Sequence, residues 1–171
     1  MANILCFKVM TIPQKPSYID FDNSNYPWKA AINYQQHPEL YRVGKGEQGV
    51  LICEPYKSAI GQYWRFSTPT IAQKSSKKIF QLFIKYLKTK DFVGADMARK
   101  YLQMGYTRAR RYANYKGGKK YDKTNNHQPL DRGTGSLEKA KSAEIFYKAY
   151  KEAATNPIYV ILKKEWQKKI G

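Results

Sequence analysis

Apolar residues recur at helical spacing in several stretches of the chain, and the clearest of these follows Thr68 and Pro69. Thr68 is placed to cap this helix, and Pro69 suits its first position. One stripe of the helix is apolar and consists of Ile79, Phe80, Phe83, Tyr86 and Leu87. The opposite stripe is polar and consists of Lys74, Lys78, Gln81, Lys85 and Lys88. The pattern predicts a helix that buries one face and presents a basic face to solvent.

The residues that follow predict two helices separated by a turn. Asp91 is placed to cap a helix that runs to Gln103, and Gly105 is a typical helix stop. Thr107 can then cap a short third helix that carries three arginines. Two helices joined in this way are also the pattern of a helix-turn-helix, although short glycine-containing turns join helices in many other folds.

The C-terminal part of the chain predicts a loop and two more helices. Residues 123–135 are rich in Asn, Gly and Pro, which favours a loop. Helical periodicity returns over 136–154, and Asn156 with Pro157 marks the start of a last helix that extends to Lys169.

Strand signals are confined to the first third of the chain. Residues 4–10 are rich in strand formers, and residues 63–66 suit a further short strand. Residues 41–43 and 49–53 flank a turn with two glycines, a pattern that predicts a β-hairpin. We therefore expect a mainly helical α+β fold, with a small antiparallel β-hairpin layer packed on about five helices in a single domain over residues 1–171.

Composition narrows the class of protein. Cys6 and Cys53 are too few for a zinc pattern and lie too far apart for a redox pair, so we expect buried thiols in a reducing compartment. The N-terminus lacks the features of a signal peptide, and no apolar run approaches the roughly 20 residues that cross a bilayer. These features predict a cytoplasmic protein with no membrane partner.

The positive charge of the chain is strongly segregated. Residues 1–60 hold six Lys/Arg and five Asp/Glu, whereas residues 61–171 hold 25 and eight, so the net charges are +1 and +17. The densest stretch, residues 99–123, interleaves nine basic residues with five tyrosines and contains one acid. Such a surface neutralises phosphates and offers rings on which bases stack, so nucleic acid is the expected partner, with DNA and RNA both open.

Ten residues of this stretch are the predicted nucleic-acid contacts. They are Arg99, Lys100, Arg108, Arg110, Arg111, Tyr112, Tyr115, Lys116, Lys119 and Lys120. The arginines carry particular weight because a guanidinium binds phosphate in a bidentate manner and also stacks. In a helix, Arg108 and Arg111 share one face while Arg110 lies off it. An internal ion pair of one of these arginines with Asp91 or Asp96 is the alternative.

Catalytic and metal signals are weak. Glu54 and Lys57 are of the same residue types as the acid and lysine of many nuclease sites, but their three-residue spacing does not suit a strand. Asp91 and Asp96 are better explained as a helix cap and a first-turn acid than as metal ligands. The glycine-containing segment 116–120 lacks the spacing of a phosphate-binding P-loop. We therefore predict no cofactor and no metal, and catalytic residues stay undetermined.

Several long motifs resemble the DUF4385 domain family of bacteria and their phages. They occupy residues 37–44, 46–51, 54–58, 64–66, 68–69, 91–100, 102–114 and 118–121. The resemblance covers roughly residues 37–150, leaves a lysine-rich C-terminus outside, and implies a compact bacterial or phage domain. It brings no activity and no catalytic residues.

Three functions are compatible with these observations. The preferred one is nucleic-acid binding without intrinsic catalysis, through residues 99–123 and the basic face of the preceding helix. The second is an enzyme acting on nucleic acid or nucleotides with Glu54, Lys57, Asp91 and Asp96 as its polar groups. The third is a structural protein of a phage particle or ribonucleoprotein, in assembly with phage or host proteins.

Overall fold

Five α-helices dominate the computed structural model, which describes residues 25–171. They are α1 (Tyr56–Gly61), α2 (Pro69–Lys88), α3 (Phe92–Asn114), α4 (Leu137–Ala154) and α5 (Pro157–Ile170). Short 3₁₀ helices span Pro38–Leu40 and Lys116–Gly118. Strands β1 (Tyr121–Asp122) and β2 (Gln128–Pro129) form a two-stranded antiparallel sheet, in which Tyr121 pairs with Pro129 and Asp122 with Gln128. The predicted mainly helical α+β class is confirmed.

Side-chain caps fix the starts of three helices where the sequence predicts them. Thr68 Oγ1 accepts a hydrogen bond from the amide of Ile71 at 3.2 Å, at the start of α2. Asp91 Oδ1 accepts from the amide of Gly94 at 2.9 Å, at the start of α3. Asn156 Oδ1 accepts from two amides of α5. Each cap satisfies backbone donors that have no partner within the helix.

Helix α3 is the centre of the fold. It packs against α2, α4 and α5, and every residue from Phe92 to Leu102 is buried. A helix that is buried all round has partners on every side. Only the C-terminal part of α3, beyond Met104, presents charged side chains to solvent.

Gly105 does not end a helix, so the predicted break and the helix-turn-helix are wrong. Helix α3 continues through it to Asn114. A Cβ atom built on Gly105 would overlap the ring of Phe146 in α4. The glycine is therefore a close-approach point between two helices, and this packing role overrides its tendency to terminate a helix.

The predicted hairpin over residues 41–53 is also wrong, because this segment forms turns and no strand. Gly44 and Gly49 have positive φ angles and wrap the backbone around Trp28, where a Cβ atom on either glycine would overlap the indole ring. The carbonyls of Gly46 and Gln48 accept hydrogen bonds from α3 side chains instead of a neighbouring strand. Residues 63–66 form no strand either.

One predicted strand falls outside the described residues, and one short helix was not predicted. The strand over residues 4–10, like Cys6, lies outside the described residues. The short helix α1 follows Pro55 and carries no periodic pattern that predicts it. Within residues 25–171, no helix combines the length and apolar character that a membrane span requires.

The Gly105→Ala substitution tests the close approach of α3 and α4. Alanine gains about 1 kcal/mol over glycine in an exposed helix, but here its methyl group must displace Phe146, which costs about 1–3 kcal/mol in a packed core. We expect the variant to have a lower free energy of unfolding in denaturant titrations. Combined with Phe146→Leu, it should cost less than the sum of the single substitutions. A stabilised Gly105→Ala protein would contradict this packing.

Candidate nucleic-acid interface

The largest concentration of predicted contact residues lines one cleft, which we call the basic cleft. It has a volume of about 550 Å³ and lies between the C-terminal end of α3, the turn Lys116–Gly118 and the β1–β2 hairpin. Its lining residues are Arg108, Arg111, Tyr112, Gly117, Gly118, Lys119, Lys120, Tyr121, Asp122, Lys123, Thr124 and Leu130. Five of the ten predicted contacts are therefore brought together: Arg108, Arg111, Tyr112, Lys119 and Lys120.

The helical spacing of the arginines decides which of them reach the cleft. Arg108 and Arg111 are three residues apart and line the same wall, as predicted. Arg110 lies on the other side of α3, in a groove with Leu137 and Tyr147 of α4. Arg110 is therefore outside the basic cleft.

A glycine turn folds the chain back against the end of α3. Gly117 and Gly118 have φ angles of +62° and +68°, a conformation that glycine adopts without strain. The Nε–H group of Arg111 donates to the carbonyl of Gly118. A Cβ atom on Gly118 would meet the ring of Tyr112 at 3.0 Å. These contacts place the backbone of the turn beside the last turns of α3.

The hairpin also lines the cleft and carries the one carboxylate among its described lining residues, that of Asp122. The amide of Leu130 donates to the carbonyl of Lys120 at 2.8 Å. Asp122 accepts from the hydroxyl and amide of Thr124 at 2.6 and 2.9 Å. These hydrogen bonds favour the charged carboxylate and lower the pKa of Asp122.

Positive charge in the basic cleft is unbalanced. Its lining carries five cations, Arg108, Arg111, Lys119, Lys120 and Lys123, against the single carboxylate of Asp122. Within residues 25–171, none of these five cations forms an ion pair. Arg108 lowers the pKa of Glu47 through space, but burial outweighs this effect and leaves that pKa raised. The cleft therefore presents a positive potential to solvent.

Lys139 is a cation beside the basic cleft that sequence reasoning missed. Its Nζ lies 5.8 Å from the ring centroid of Tyr112 and 5.4 Å from that of Phe66. The Phe66 and Tyr112 rings are themselves 5.9 Å apart. The contact joins α4 to α3 and to the loop before α2, so only the folded arrangement reveals it.

Tyr115 and Lys116 lie at the start of the glycine turn, next to the cleft and not in its lining. The amide of Tyr115 donates to the carbonyl of Arg111 and closes α3. The Lys116 side chain is exposed, and its amide donates to Thr134 Oγ1 at 3.0 Å. Their predicted role as contacts stays a prediction.

Arg99 and Lys100 are buried, so their prediction as surface contacts is wrong. Both belong to a cluster around the fully buried carboxylate of Asp96. Arg99 donates to Asp96 Oδ1 from Nε and Nη2 at 3.1 and 2.8 Å, and Lys100 Nζ lies 3.5 Å from Oδ2. The hydroxyls of Tyr159 and Tyr41 also donate to this carboxylate. We call these five residues the Asp96 cluster.

Arg99 and Lys100 also bind the loop over residues 41–48, and Arg99 Nη1 donates in addition to Gln103 Oε1 at 2.7 Å. Arg99 Nη1 donates to the carbonyl of Gly46 at 3.0 Å, and Lys100 Nζ donates to that of Gln48 at 2.6 Å. The Lys100 ammonium also lies 4.9 Å from the ring centroid of Tyr41 and 5.1 Å from that of Trp28. Both cations are thus occupied inside the protein.

Electrostatics within the Asp96 cluster favour an ion pair. Burial alone raises the pKa of Asp96, but the charges of Arg99 and Lys100 and the two tyrosine hydroxyls outweigh burial and bring that pKa below its usual range. Burial lowers the pKa of Lys100 to about 8, against the opposing attraction of Asp96. The attraction of Asp96 outweighs burial for Arg99 and raises its pKa. Asp96 and Arg99 are therefore both charged at neutral pH.

The four polar groups of the enzyme hypothesis take part in three separate sets of contacts. Glu54 Oε1 lies 3.7 Å from Lys57 Nζ, and Glu54 also accepts from Ser58. Asp91 caps α3 and accepts from the hydroxyl of Tyr56 at 2.6 Å. Asp96 lies within its own cluster. Among residues 25–171, no group of three or more His, Cys, Asp or Glu side chains is placed to hold a metal ion.

The described residues form a mainly helical α+β fold with a cationic cleft. Residues 24–169 match the family model described as domain of unknown function DUF4385. The chain therefore belongs to the DUF4385 family. The match is wider than the predicted 37–150, so the lysine-rich α5 is part of the family domain. Comparisons with curated proteins and with solved structures found no significant match.

The Asp96→Ala substitution tests the structural role of the buried cluster. It leaves Arg99 and Lys100 buried without a counter-ion, and Arg99 cannot relieve the cost by losing its proton. Breaking a buried pair in this way costs about 3–5 kcal/mol, a large part of a typical stability of about 5–15 kcal/mol. We expect a correspondingly lower free energy of unfolding, measured by circular dichroism in urea.

Asp131→Ala is the matched control for this prediction. The Asp131 side chain is exposed, and the substitution removes the same charge as Asp96→Ala. Its effect should stay within about 0.5 kcal/mol. Equal stabilities of the Asp96→Ala and Asp131→Ala proteins would show that the cluster does not stabilise the fold.

Proposed function

We propose that this protein binds nucleic acid through the basic cleft. The observation that carries the proposal is the convergence of five cations, from α3 and from the segment 119–123, on a concave surface whose described lining contains one carboxylate. Concentrated like charge destabilises a folded protein unless an anionic partner offsets it. A chain of phosphates meets this requirement and gains affinity through the release of its counterions.

The residue types in the cleft suit a polyanion with aromatic bases. Arg108 is exposed, so its guanidinium is accessible for bidentate contact with a phosphate. Lys119 and Lys120 are exposed point charges that also line the cleft. Tyr112 keeps 38% of its surface exposed beside them and offers part of a ring to a base.

The Asp96 cluster makes two of the predicted cations unavailable to a ligand, but the proposal does not depend on them. Arg99 and Lys100 are removed from the surface, whereas the lysines along α2 remain exposed: Lys74, Lys77, Lys78, Lys85 and Lys88. Phosphate contacts are common to DNA and RNA, so the proposal covers both.

Binding should weaken steeply as the salt concentration rises. Each neutralised phosphate contributes about −0.9 to the slope of log affinity against log salt on duplex DNA and about −0.7 on single strands. We expect a slope of magnitude about 3 or more for the wild-type protein, because the five cations of the cleft allow several phosphate contacts. The variant Arg108→Ala/Lys119→Ala/Lys120→Ala should reduce that magnitude by about 2 to 3 and weaken binding at least tenfold, measured by fluorescence anisotropy.

The control variant removes the same charge from exposed lysines of α5, through Lys164→Ala/Lys168→Ala/Lys169→Ala. It should weaken binding about tenfold less than the cleft variant, with both melting curves unchanged. Arg108→Ala and Arg110→Ala provide a second comparison, since both arginines are exposed on α3 and only Arg108 lines the cleft. A flat salt response, or equal losses in cleft and control variants, would contradict the proposal.

A further inference from the structure

The shape of the basic cleft restricts the form of nucleic acid that it can accept. Its volume of about 550 Å³ lies in the range of pockets that enclose one small molecule. A cleft of this size has room for individual nucleotides and none for a double helix. Duplex readers instead present a protruding helix or ribbon that enters a groove.

Helix α3 is not such a protruding element. Its first half is buried between its neighbours, and Arg108 and Arg111 line the basic cleft together with the glycine turn and residues of the hairpin. These arginines therefore border a concave space. An unpaired strand, whose backbone bends and whose bases separate, fits this geometry.

A series of aromatic contacts leads out of the cleft from Tyr112. The ring of Tyr112 is 5.9 Å from that of Phe66, and Phe66 is 5.1 Å from Trp64. Lys139 lies over both Tyr112 and Phe66. The first two rings of the series, Tyr112 and Phe66, therefore share the cation of Lys139.

The other end of the same loop, at Tyr63, lies beside the basic face of α2. Tyr63 precedes Trp64 and keeps 38% of its surface exposed. The Nζ of Lys78 lies 5.0 Å from the centroid of the Tyr63 ring. Arg65 is exposed in the same loop. The loop over residues 63–66 therefore carries one ring beside Tyr112 and Lys139 at its cleft end and another beside Lys78 of α2.

Building on the proposed function, we propose that the ligand is a single strand of nucleic acid that leaves the basic cleft past Tyr112 and Phe66 and crosses Tyr63 to reach Lys78. The partly exposed rings of Tyr112 and Tyr63 stack bases without sequence preference, while Phe66 is half-buried between them. Lys139, Arg65 and Lys78 neutralise the phosphates that accompany these bases. Short strands fill the cleft alone, and longer strands also use the path.

The test measures the affinity of the full-length protein for three probes. Two are mixed-sequence single strands of about 4 and about 16 nucleotides, which span the usual site sizes of single-strand-binding folds. The third is a duplex equal in length to the longer strand. All titrations use one salt concentration and are repeated with DNA and RNA. The wild-type protein should bind the longer strand at least about tenfold more tightly than the duplex or the short strand.

The path variant Tyr63→Ala/Lys78→Ala should weaken binding of the longer strand about tenfold and change binding of the short strand less than about twofold. The control Tyr147→Ala/Lys148→Ala removes the same residue types from the exposed surface of α4 and should change neither. Melting curves confirm that both variants are folded.

The outcomes separate this inference from the proposed function. Equal or tighter binding of the duplex, or equal effects of the path and control variants, would overturn the inference and leave binding through the cleft intact. In that case, loss of binding in the cleft variant Arg108→Ala/Lys119→Ala/Lys120→Ala would support the proposed function. Failure of the wild-type protein to bind any of the probes would reject both.

Discussion

The rest of the structure depends on the contacts of one buried carboxylate, that of Asp96. It lies in the fully buried part of α3 and accepts hydrogen bonds from Tyr41 of the loop before α1 and from Tyr159 of α5. Arg99 and Lys100 extend the cluster to the carbonyls of Gly46 and Gln48. One buried charge therefore joins three parts of the chain that are distant in sequence. A buried carboxylate is costly without such partners, so the cluster also restricts how these parts can pack.

The same cluster divides the cations of one helix between two roles. Arg99 and Lys100 serve the interior, whereas Arg108 and Arg111 reach the surface nearer the C-terminal end of α3. Charge density along the sequence does not separate these roles, because it counts all four cations alike. The spacing does contain a signal: Arg99 and Lys100 follow Asp96 by three and four residues, which places them beside it on a helix. Their partners Tyr41 and Tyr159 follow only from the folded structure.

Local rules predicted the elements better than their contacts. The caps Thr68, Asp91 and Asn156 act within a few residues, so sequence was sufficient to place the starts of α2, α3 and α5. The glycines were misinterpreted because their partners are remote. Gly105 accommodates Phe146 and does not end a helix, and Gly44 turns the backbone around Trp28 instead of joining two strands. Helical spacing placed Arg108 and Arg111 on one wall of the basic cleft, but the hairpin wall and Lys139 depend on non-local packing.

The central claim is that nucleic acid contacts the basic cleft and not the basic surface as a whole. Photo-cross-linking of the full-length protein to a single strand that carries a photoreactive base, followed by mass-spectrometric mapping, tests this claim most directly. The account predicts cross-links concentrated on the cleft residues Tyr112 and Tyr121 and their neighbours, and removed by excess unlabelled strand. Cross-links concentrated on α5, or spread evenly over the lysine-bearing helices, would contradict it.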